Sequence, residues 1–164
     1  MHTLVLLRHA KAEPDMGGGS DRERRLIAQG RQAAEAAAAR LSRGVGPLLQ
    51  LALVSSAART RETWECVQAA LPALPARTLD ALYMASAEQI WDAAAGSGAE
   101  ACLVVGHNPG LHELVRLLLS QNHDHSAVSR DLERNFPTAA YAAFNLSGDV
   151  LEAAGPRLLD GWSP

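Results

Sequence analysis

The stretch "LVLLRHAKAEP", residues 4–14, changes abruptly from apolar to charged residues, and this change indicates how the fold begins. Four consecutive apolar residues bounded by charge are typical of a buried strand, and we predict a strand over residues 3–8. Arg8 and His9 stand where that strand ends. Because burying a guanidinium or an imidazole costs free energy unless a partner offsets the desolvation, the pair predicts a polar site at the strand end.

Similar apolar stretches alternate with helical patterns along the rest of the chain. Further strands are predicted within 48–56, within 76–83, which includes an exit loop, and within 100–110, which ends in a polar turn. Helices are predicted at 26–41, 59–71, 86–95 and 109–121. Residues 122–135 predict a polar connection or a short helix, and residues 138–155 predict two strands joined by a hairpin turn at "SGD" (147–149). The alternation predicts an α/β fold with three α/β/α layers and a mostly parallel central sheet.

Length and composition favour one folded domain, which we predict to span residues 1–164. The chain is 48% hydrophobic and 20% charged, as is usual for globular proteins, and its length suits one core better than two. Met1 leads almost directly into the first strand without a signal-peptide pattern, and no apolar run approaches the ~18 residues that cross a bilayer. These features predict a cytoplasmic protein.

The charge balance and the cysteines narrow the possible partners. The net charge of −3 provides no overall positive field to attract nucleic acid or an anionic membrane, so we expect neither partner. Cys66 and Cys102 are far apart and lack CxxC spacing, so neither a disulfide framework nor a zinc site is predicted. Any anion-binding site must therefore be local.

Three predicted strands end in polar clusters. These are Arg8 and His9; Ser55, Ser56 and Arg59; and His107 and Asn108. Because ligands of α/β sheets collect at the carboxyl ends of strands, adjacent strands would bring two arginines and two histidines together. The planar guanidinium of arginine matches the geometry of phosphate oxygens. A neutral imidazole can attack phosphorus, and a protonated imidazole can stabilise the equatorial oxygens of the transition state. The clusters predict phosphoryl transfer, without indicating which histidine attacks.

Two of these clusters also stand before predicted helices. Asn108 is predicted as an N-cap with Pro109 at the first helical position, and Ser55 and Ser56 are predicted caps of the helix that carries Arg59. Both helix N-termini would favour an anion in the same pocket. Taken singly, each cluster has a purely structural explanation, such as capping or a surface arginine. Their joint occurrence at three strand ends favours the functional interpretation.

Three segments, "LLRHAKAE" (6–13), "LALVSSAARTRET" (51–63) and "LVVGHNPGL" (103–111), resemble the histidine phosphatase superfamily, which has the phosphoglycerate mutase-like fold. Within it they resemble the short SixA-type phosphohistidine phosphatases. The segment "SDRERRLIAQGRQAA" (20–34) is similar to that branch as well. Asp21, Arg24, Leu26 and Gly30 stand at its characteristic positions, so the resemblance extends over nearly the whole chain.

The resemblance implies a role for each clustered residue. His9 would be the nucleophile that becomes transiently phosphorylated. Arg8, Arg59 and His107 would complete the phosphate pocket, and we predict that Asn108 binds the phosphate with them.

The sequence departs from the family pattern at a few positions. Ala10 replaces the glycine of the common Arg-His-Gly motif, and Ser56 stands where proline is frequent. Arg25 and Ile27 replace the usual proline and threonine. None of these changes affects the four pocket residues, so they weaken the subfamily assignment and leave the chemistry unchanged.

A proton donor for the leaving group is harder to identify. Glu13, Asp80 and Glu88 are the carboxylates nearest to predicted strand ends or loops. Glu13 belongs to a glycine-rich loop that could bring it over the pocket, whereas Glu88 belongs to a helical pattern and suits a solvated face. A phosphohistidine substrate would need little help, because imidazole is a far better leaving group than an alkoxide.

No cofactor is expected. His123 and His125 flank an aspartate in "NHDHS" (122–126), but alternate residues of a polar loop point in different directions, so exposed histidines are favoured over metal ligands. The glycines at 17–19 lack the Gly-Lys-Ser/Thr of a nucleotide-binding P-loop.

The sequence thus predicts a metal-independent phosphatase that works through a phosphohistidine at His9, with phosphohistidine on a protein partner as the favoured substrate. A phosphomonoesterase for small phosphate esters and a non-catalytic module that binds phosphorylated partners are the alternatives. The oligomeric state stays open.

Overall fold

The computed structural model describes residues 1–15, 17, 19–121, 126–146 and 155–164. Its strands are β1 Thr3–Arg8, β2 Leu51–Ser55, β3 Ala76–Leu79, β4 Ala101–Gly106, β5 Tyr141–Asn145 and β6 Arg157–Trp162. Its helices are α1 Ala28–Arg43, α2 Ala58–Ala70, α3 Ala87–Ala95, α4 Gly110–Ser120 and α5 Ala127–Arg134, and short 3-10 turns occur at Asp21–Glu23, Gly46–Leu48 and Asp80–Leu82. The predicted alternation of strands and helices is confirmed from β1 to α4.

The strands of the described residues form one sheet in the order β3-β2-β4-β1-β5-β6. The first four strands of that order run parallel to one another, whereas β5 is antiparallel to both β1 and β6. The prediction of a mostly parallel central sheet is confirmed. Because β2, β4 and β1 are adjacent and parallel, their carboxyl ends meet at one edge of the sheet.

The apolar run of β1 packs against helices on both faces of the sheet. Leu4 and Leu6 belong to a core shared with residues of α3, α4 and α5. Val5 and Leu7 belong to a second core shared with residues of α1 and α2. All four side chains are fully buried. A strand covered on both faces has no solvated side, which explains why its sequence is continuously apolar and confirms the three-layer architecture.

The antiparallel edge differs from the sequence prediction. Of the two strands predicted within residues 138–155, the first is β5, whereas the predicted turn and most of the second strand fall at 147–154, outside the described residues. The partner of β5 is β6, which follows later in the chain. β6 was not predicted because none of its residues is fully buried and it contains Asp160 and Gly161, which disfavour strands.

The alternatives left open for residues 122–135 are resolved in favour of a short helix. α5 begins at Ala127, and the hydroxyl oxygen of Ser126 caps it by accepting a hydrogen bond from the backbone N–H of Ser129 at 3.1 Å. Residues 122–125 lie outside the described part of the chain.

Two glycines allow helices to approach the strand ends closely. A Cβ atom at Gly30 of α1 would collide with the carbonyl oxygen of Lys11, just beyond β1. A Cβ atom at Gly110 of α4 would collide with the carbonyl oxygen of Ala85. The absence of a side chain at these positions therefore sets how α1 and α4 pack beside the ends of β1 and β4.

Both cysteines, Cys66 and Cys102, are buried free thiols. Among the described helices, none combines the length and the hydropathy that crossing a bilayer would require.

Candidate active site

The carboxyl-terminal edge of the parallel strands carries a cavity of about 550 Å³. The structure brings all five residues predicted around the phosphate to its wall: Arg8, His9, Arg59, His107 and Asn108. The wall also includes Lys11, Ala12, Asp21, Arg24, Tyr83, Met84 and Thr138. The residues that follow β1, β2 and β4 therefore share one pocket, although almost a hundred positions separate them in sequence.

The His9 ring is oriented by the backbone of the next residue. Its Nδ1 atom lies 2.8 Å from the carbonyl oxygen of Ala10. Because a carbonyl only accepts hydrogen bonds, Nδ1 carries the proton and the neutral ring keeps the lone pair of Nε2. Burial, together with the positive charges of Arg59 and Arg8, lowers the pKa of His9 to about 4, against the opposing effect of the Ala10 bond. Near pH 7 the ring is neutral, with a potential nucleophile at Nε2.

His107 is buried and has the opposite tautomer. Its Nε2 lies 2.8 Å from the hydroxyl oxygen of Ser55, and its Nδ1 lies 3.4 Å from Nη2 of Arg59. Because arginine only donates, Nδ1 is the acceptor and Nε2 donates to Ser55. Burial, followed by the charges of His9 and Arg59, lowers the pKa of His107 to about 3. The two ring centroids are 5.2 Å apart, so both imidazoles can contact the same small ligand.

Arg59 is buried, and besides its contact with His107 both of its terminal nitrogens donate to Asp21. Its Nη1 donates to the backbone carbonyl of Asp21 at 2.6 Å, and its Nη2 donates to the Oδ2 atom of Asp21 at 2.9 Å. The Tyr83 hydroxyl and Nε of Arg24 also donate to this carboxylate, at 2.6 and 2.9 Å. These hydrogen bonds, that of Tyr83 foremost, hold the pKa of Asp21 well below its usual range. The carboxylate is therefore ionised.

Arg8 and Asn108 share the carbonyl oxygen of Phe136. Nη1 of Arg8 and Nδ2 of Asn108 each donate to it at 2.9 Å. The prediction that Asn108 caps the following helix is wrong, because α4 begins at Gly110 and Pro109 occupies the N-cap position without a side-chain cap. The amide of Asn108 is directed to the loop before β5, where a carbonyl satisfies it.

The predicted serine caps of α2 are wrong as well. The N-cap residue is Ala57, and no side chain caps the helix. Ser55 hydrogen-bonds His107 instead, so it belongs to the site through a different contact. The hydroxyl of Thr60 donates to the carbonyl oxygens of Ser55 and Ala57, both at 2.7 Å, which fixes the turn that enters the helix.

The pocket wall is strongly cationic. Arg8, Lys11, Arg24 and Arg59 line it, whereas Asp21 is the one carboxylate among the described lining residues. The Nε atoms of Arg8 and Arg59 are buried and have no hydrogen-bond partner in the described part of the chain. A buried donor without an acceptor costs about 1–3 kcal/mol, so the wall favours an anion with several oxygen atoms.

A family model, the histidine phosphatase superfamily (branch 1), matches residues 4–85. The chain belongs to the histidine phosphatase superfamily. The uncharacterized protein Rv1276c of Mycobacterium tuberculosis (strain H37Rv) is 32% identical over 145 residues, which cover 87% of this chain and 88% of that protein.

Two solved structures place this histidine phosphatase within the SixA type. A protein from Agrobacterium tumefaciens assigned as the phosphohistidine phosphatase SixA is 27% identical with a TM-score of 0.83, over 99% of this chain and 98% of that one. Another so assigned, from Nakamurella multipartitia, is 30% identical with a TM-score of 0.79, over 99% and 96% of the two chains. The resemblance inferred from the sequence motifs is confirmed, and the chain is a phosphatase with a phosphoglycerate mutase-like fold.

The carboxylates considered as proton donors in this histidine phosphatase stand outside the pocket wall. Glu13 accepts a hydrogen bond from a backbone N–H of its own loop, Asp80 forms an exposed ion pair, and Glu88 is exposed on α3. The carboxylate on the wall is Asp21. The sequence marks Asp21 as a family position but does not indicate a role in the pocket, because a lone aspartate in a loop gives no periodic signal.

Within the described residues, no three or more histidine, cysteine, aspartate or glutamate side chains are grouped so that they could hold a metal ion. His123 and His125, the possible metal ligands considered in the sequence, lie outside the described residues.

Proposed function

We propose that this histidine phosphatase removes the phosphoryl group from phosphohistidine on a protein partner through a transient phosphohistidine at His9. The observation that carries the proposal is the arrangement of His9. Its Nδ1 is bound to a carbonyl, its Nε2 keeps a lone pair, and its ring lies beside His107 in a cationic pocket.

Capture of the phosphoryl group would rest on the arginines. The buried Nε donors of Arg8 and Arg59 lack partners in the described structure, and each charge-assisted hydrogen bond to an oxyanion contributes about 1.5–3 kcal/mol. Lys11, on the same wall, adds positive charge. Since these groups are permanently charged near pH 7, they can neutralise the phosphoryl oxygens without a metal ion, and we propose metal-independent catalysis.

The transfer would take place in two steps. Nε2 of His9 forms a bond to phosphorus while the P–N bond of the substrate breaks, and the leaving imidazole takes up a proton from solvent. A water molecule then attacks phosphorus, one of its protons passes to solvent, and the P–Nε2 bond breaks to release phosphate and neutral His9.

His107 would stabilise both transition states. Its pKa is low in the free pocket because of burial and positive neighbours. A phosphoryl dianion has the opposite effect and raises that pKa, so that His107 can bind a proton and donate it from Nδ1 to an equatorial oxygen.

The state of Asp21 favours a P–N substrate over a P–O ester. Asp21 accepts hydrogen bonds from Arg59, Arg24 and Tyr83, and its low pKa keeps it unprotonated. A departing alkoxide needs a proton from a general acid, whereas imidazole leaves readily without one. Among the described residues the wall offers no other carboxylate, which supports phosphohistidine as the substrate.

A protein partner suits the entrance of the pocket. Lys11 and Met84 are exposed although they line the cavity, and the Met84 side chain supplies an apolar rim beside the cationic floor. A histidine ring presented on a protein surface would find both apolar contact and charge there.

The test compares a protein phosphorylated on histidine with phosphoserine, an alkyl phosphate ester whose alkoxide leaving group needs a proton, measuring phosphate release in the presence of EDTA. We expect kcat/KM for the phosphohistidine protein to exceed that for the ester by about 100-fold or more, because the described part of the pocket wall holds no protonated carboxyl group. A preference for the ester would identify a phosphomonoesterase. A stable complex without phosphate release would identify a binding module.

A second measurement assigns the nucleophile. Rapid quenching with a 32P-labelled phosphohistidine protein is expected to trap an acid-labile, base-stable label on the enzyme, and peptide mapping is expected to locate it at His9. A label at another residue contradicts the proposed intermediate.

A further inference from the structure

The two terminal nitrogens of Arg59 are bound to one residue. Nη1 donates to the main-chain oxygen of Asp21, and Nη2 donates to its side-chain Oδ2. The Arg59 side chain is only 3% exposed, whereas that of Asp21 is 36% exposed. Because the main-chain and side-chain acceptors belong to one residue, the plane of the guanidinium is fixed relative to that residue.

Asp21 is itself held from several directions. Its carboxylate accepts from the hydroxyl of Tyr83 and from Arg24, and the Tyr83 ring lies edge-on to the His107 ring with centroids 5.5 Å apart. The segment that follows Asp21 is hydrogen-bonded to α2. The buried Glu62 of α2 accepts a hydrogen bond at 2.7 Å from the backbone N–H of Leu26 in that segment. The acceptor is therefore fixed relative to the helix that carries Arg59.

We infer that Asp21 is a positioning residue of the phosphate site, which sets the orientation of the Arg59 guanidinium so that its remaining N–H groups face the phosphoryl oxygens. The inference rests on the proposed function in that it takes the pocket to be a phosphate site. It assigns to the carboxylate on the wall a role other than acid catalysis.

Positioning and simple electrostatics predict effects of opposite sign. A negative charge on the wall repels a phosphoryl dianion, so its removal would tighten anion binding if Asp21 acted through charge alone. If Asp21 orients Arg59, its removal releases a buried cation into several rotamers and weakens anion binding. The sign of the change in affinity therefore decides between the two.

The experiment measures the dissociation constant of tungstate, a tetrahedral oxyanion, for the full chain by isothermal titration calorimetry. We expect Asp21→Ala to weaken binding by about tenfold, and Asp21→Asn, which keeps one oxygen acceptor of similar shape, to weaken it less. The matched control is Asp80→Asn. It removes an exposed carboxylate that pairs with Arg22, the residue after Asp21, and it is expected to leave tungstate affinity unchanged.

Several outcomes overturn the inference. Equal or tighter tungstate binding by both Asp21 variants would do so, as would a melting temperature that falls while the affinity of the folded protein stays the same. With substrate, loss of positioning is expected to raise KM and lower kcat together. If Asp21→Ala does not fold, Asp21→Asn provides the same comparison.

Failure of the proposed function gives a different pattern. If the unaltered chain binds tungstate but does not release phosphate from phosphohistidine, the substrate proposal is wrong, and the tungstate affinities still decide the role of Asp21. If the unaltered chain is active and Asp21→Ala matches it in affinity and rate, the inference about Asp21 is wrong and the proposed function stands.

Discussion

The ends of β1 and β4 each present one histidine, and the two strands are adjacent and in register, with Arg8 beside Gly106. The β1 end holds His9 through a backbone carbonyl, whereas the β4 end holds His107 through the side chain of Ser55. Both rings are neutral near pH 7, yet the proton is on Nδ1 in His9 and on Nε2 in His107. What lies opposite each ring nitrogen, more than the residue type, therefore separates the proposed nucleophile from the proposed stabilising group.

The largest expected effects on turnover come from removing each of the two histidines in turn. His9→Ala is expected to reduce phosphohistidine turnover by roughly 10³-fold or more and to abolish the acid-labile label, because no atom remains to accept the phosphoryl group. His107→Ala is expected to cost about 10²–10³-fold while the label still forms slowly, since only stabilisation is lost. Quench-flow labelling of both variants checks this. A label that survives in His9→Ala and disappears in His107→Ala would reverse the two roles.

The next effect concerns pH. The pKa values of His9 and His107 are lowered to about 4 and about 3, while the unfolded chain binds these protons near pH 6.5. Between pH 6.5 and 4 the unfolded state therefore holds more protons, so the free energy of unfolding falls as pH decreases through this range, by a few kcal/mol per ring at most. Urea unfolding at about pH 7 and pH 5 measures the loss.

The same measurement on His9→Ala and His107→Ala sharpens the comparison of the two strand ends. Each variant is expected to show a shallower pH dependence than the unaltered chain, because one ring with a lowered pKa is gone. An unchanged slope in both variants would mean that other groups cause the loss of stability.

A smaller effect concerns the packing beside each strand end. Gly30→Ala, next to β1, and Gly110→Ala, next to β4, are each expected to lower the free energy of unfolding by about 1–3 kcal/mol, because the added methyl collides with a backbone carbonyl. Gly19→Ala is the control, since no described residue beyond its chain neighbours lies within 4 Å of a Cβ atom there. Urea unfolding checks all three, and equal stabilities would contradict the close approach.

The smallest effect concerns the support of His107. Ser55→Ala removes the hydroxyl that accepts from Nε2, and kcat/KM is expected to fall by about tenfold as the ring loses its fixed orientation. His9 has no equivalent variant, because its support is a backbone carbonyl. Ser42→Ala is the control, since that hydroxyl donates within α1 to the carbonyl oxygen of Ala39. Equal losses in the two serine variants would contradict a specific role for Ser55.

The fold and the main site residues could be predicted because their signals are local. A continuous apolar run marks a parallel strand, and the polar residues that follow it belong to the edge where ligands collect. Arg8, His9, Arg59 and His107 were identified in this way and share one pocket in the structure. β6 was not predicted, because a partly exposed edge strand lacks the continuous apolar run of a buried strand.

Other parts of the site could not be predicted because their partners are remote in sequence. Asp21 bonds Arg59 across 38 positions and Tyr83 across 62, and the Phe136 carbonyl meets Arg8 across 128. The two wrong cap assignments have the same origin. Asn108 and Ser55 precede helices, but their side chains hydrogen-bond residues of other elements and do not cap those helices.

The sequence by itself determined the α/β class, the three polar strand ends and the membership of the histidine phosphatase superfamily, because apolar periodicity and short motifs are properties of neighbouring residues. Only the tertiary structure decided which nitrogen of each histidine carries the proton and which carboxylate stands on the pocket wall. Those properties depend on which atom each side chain hydrogen-bonds, and the packing of segments that are distant in sequence brings that atom into contact.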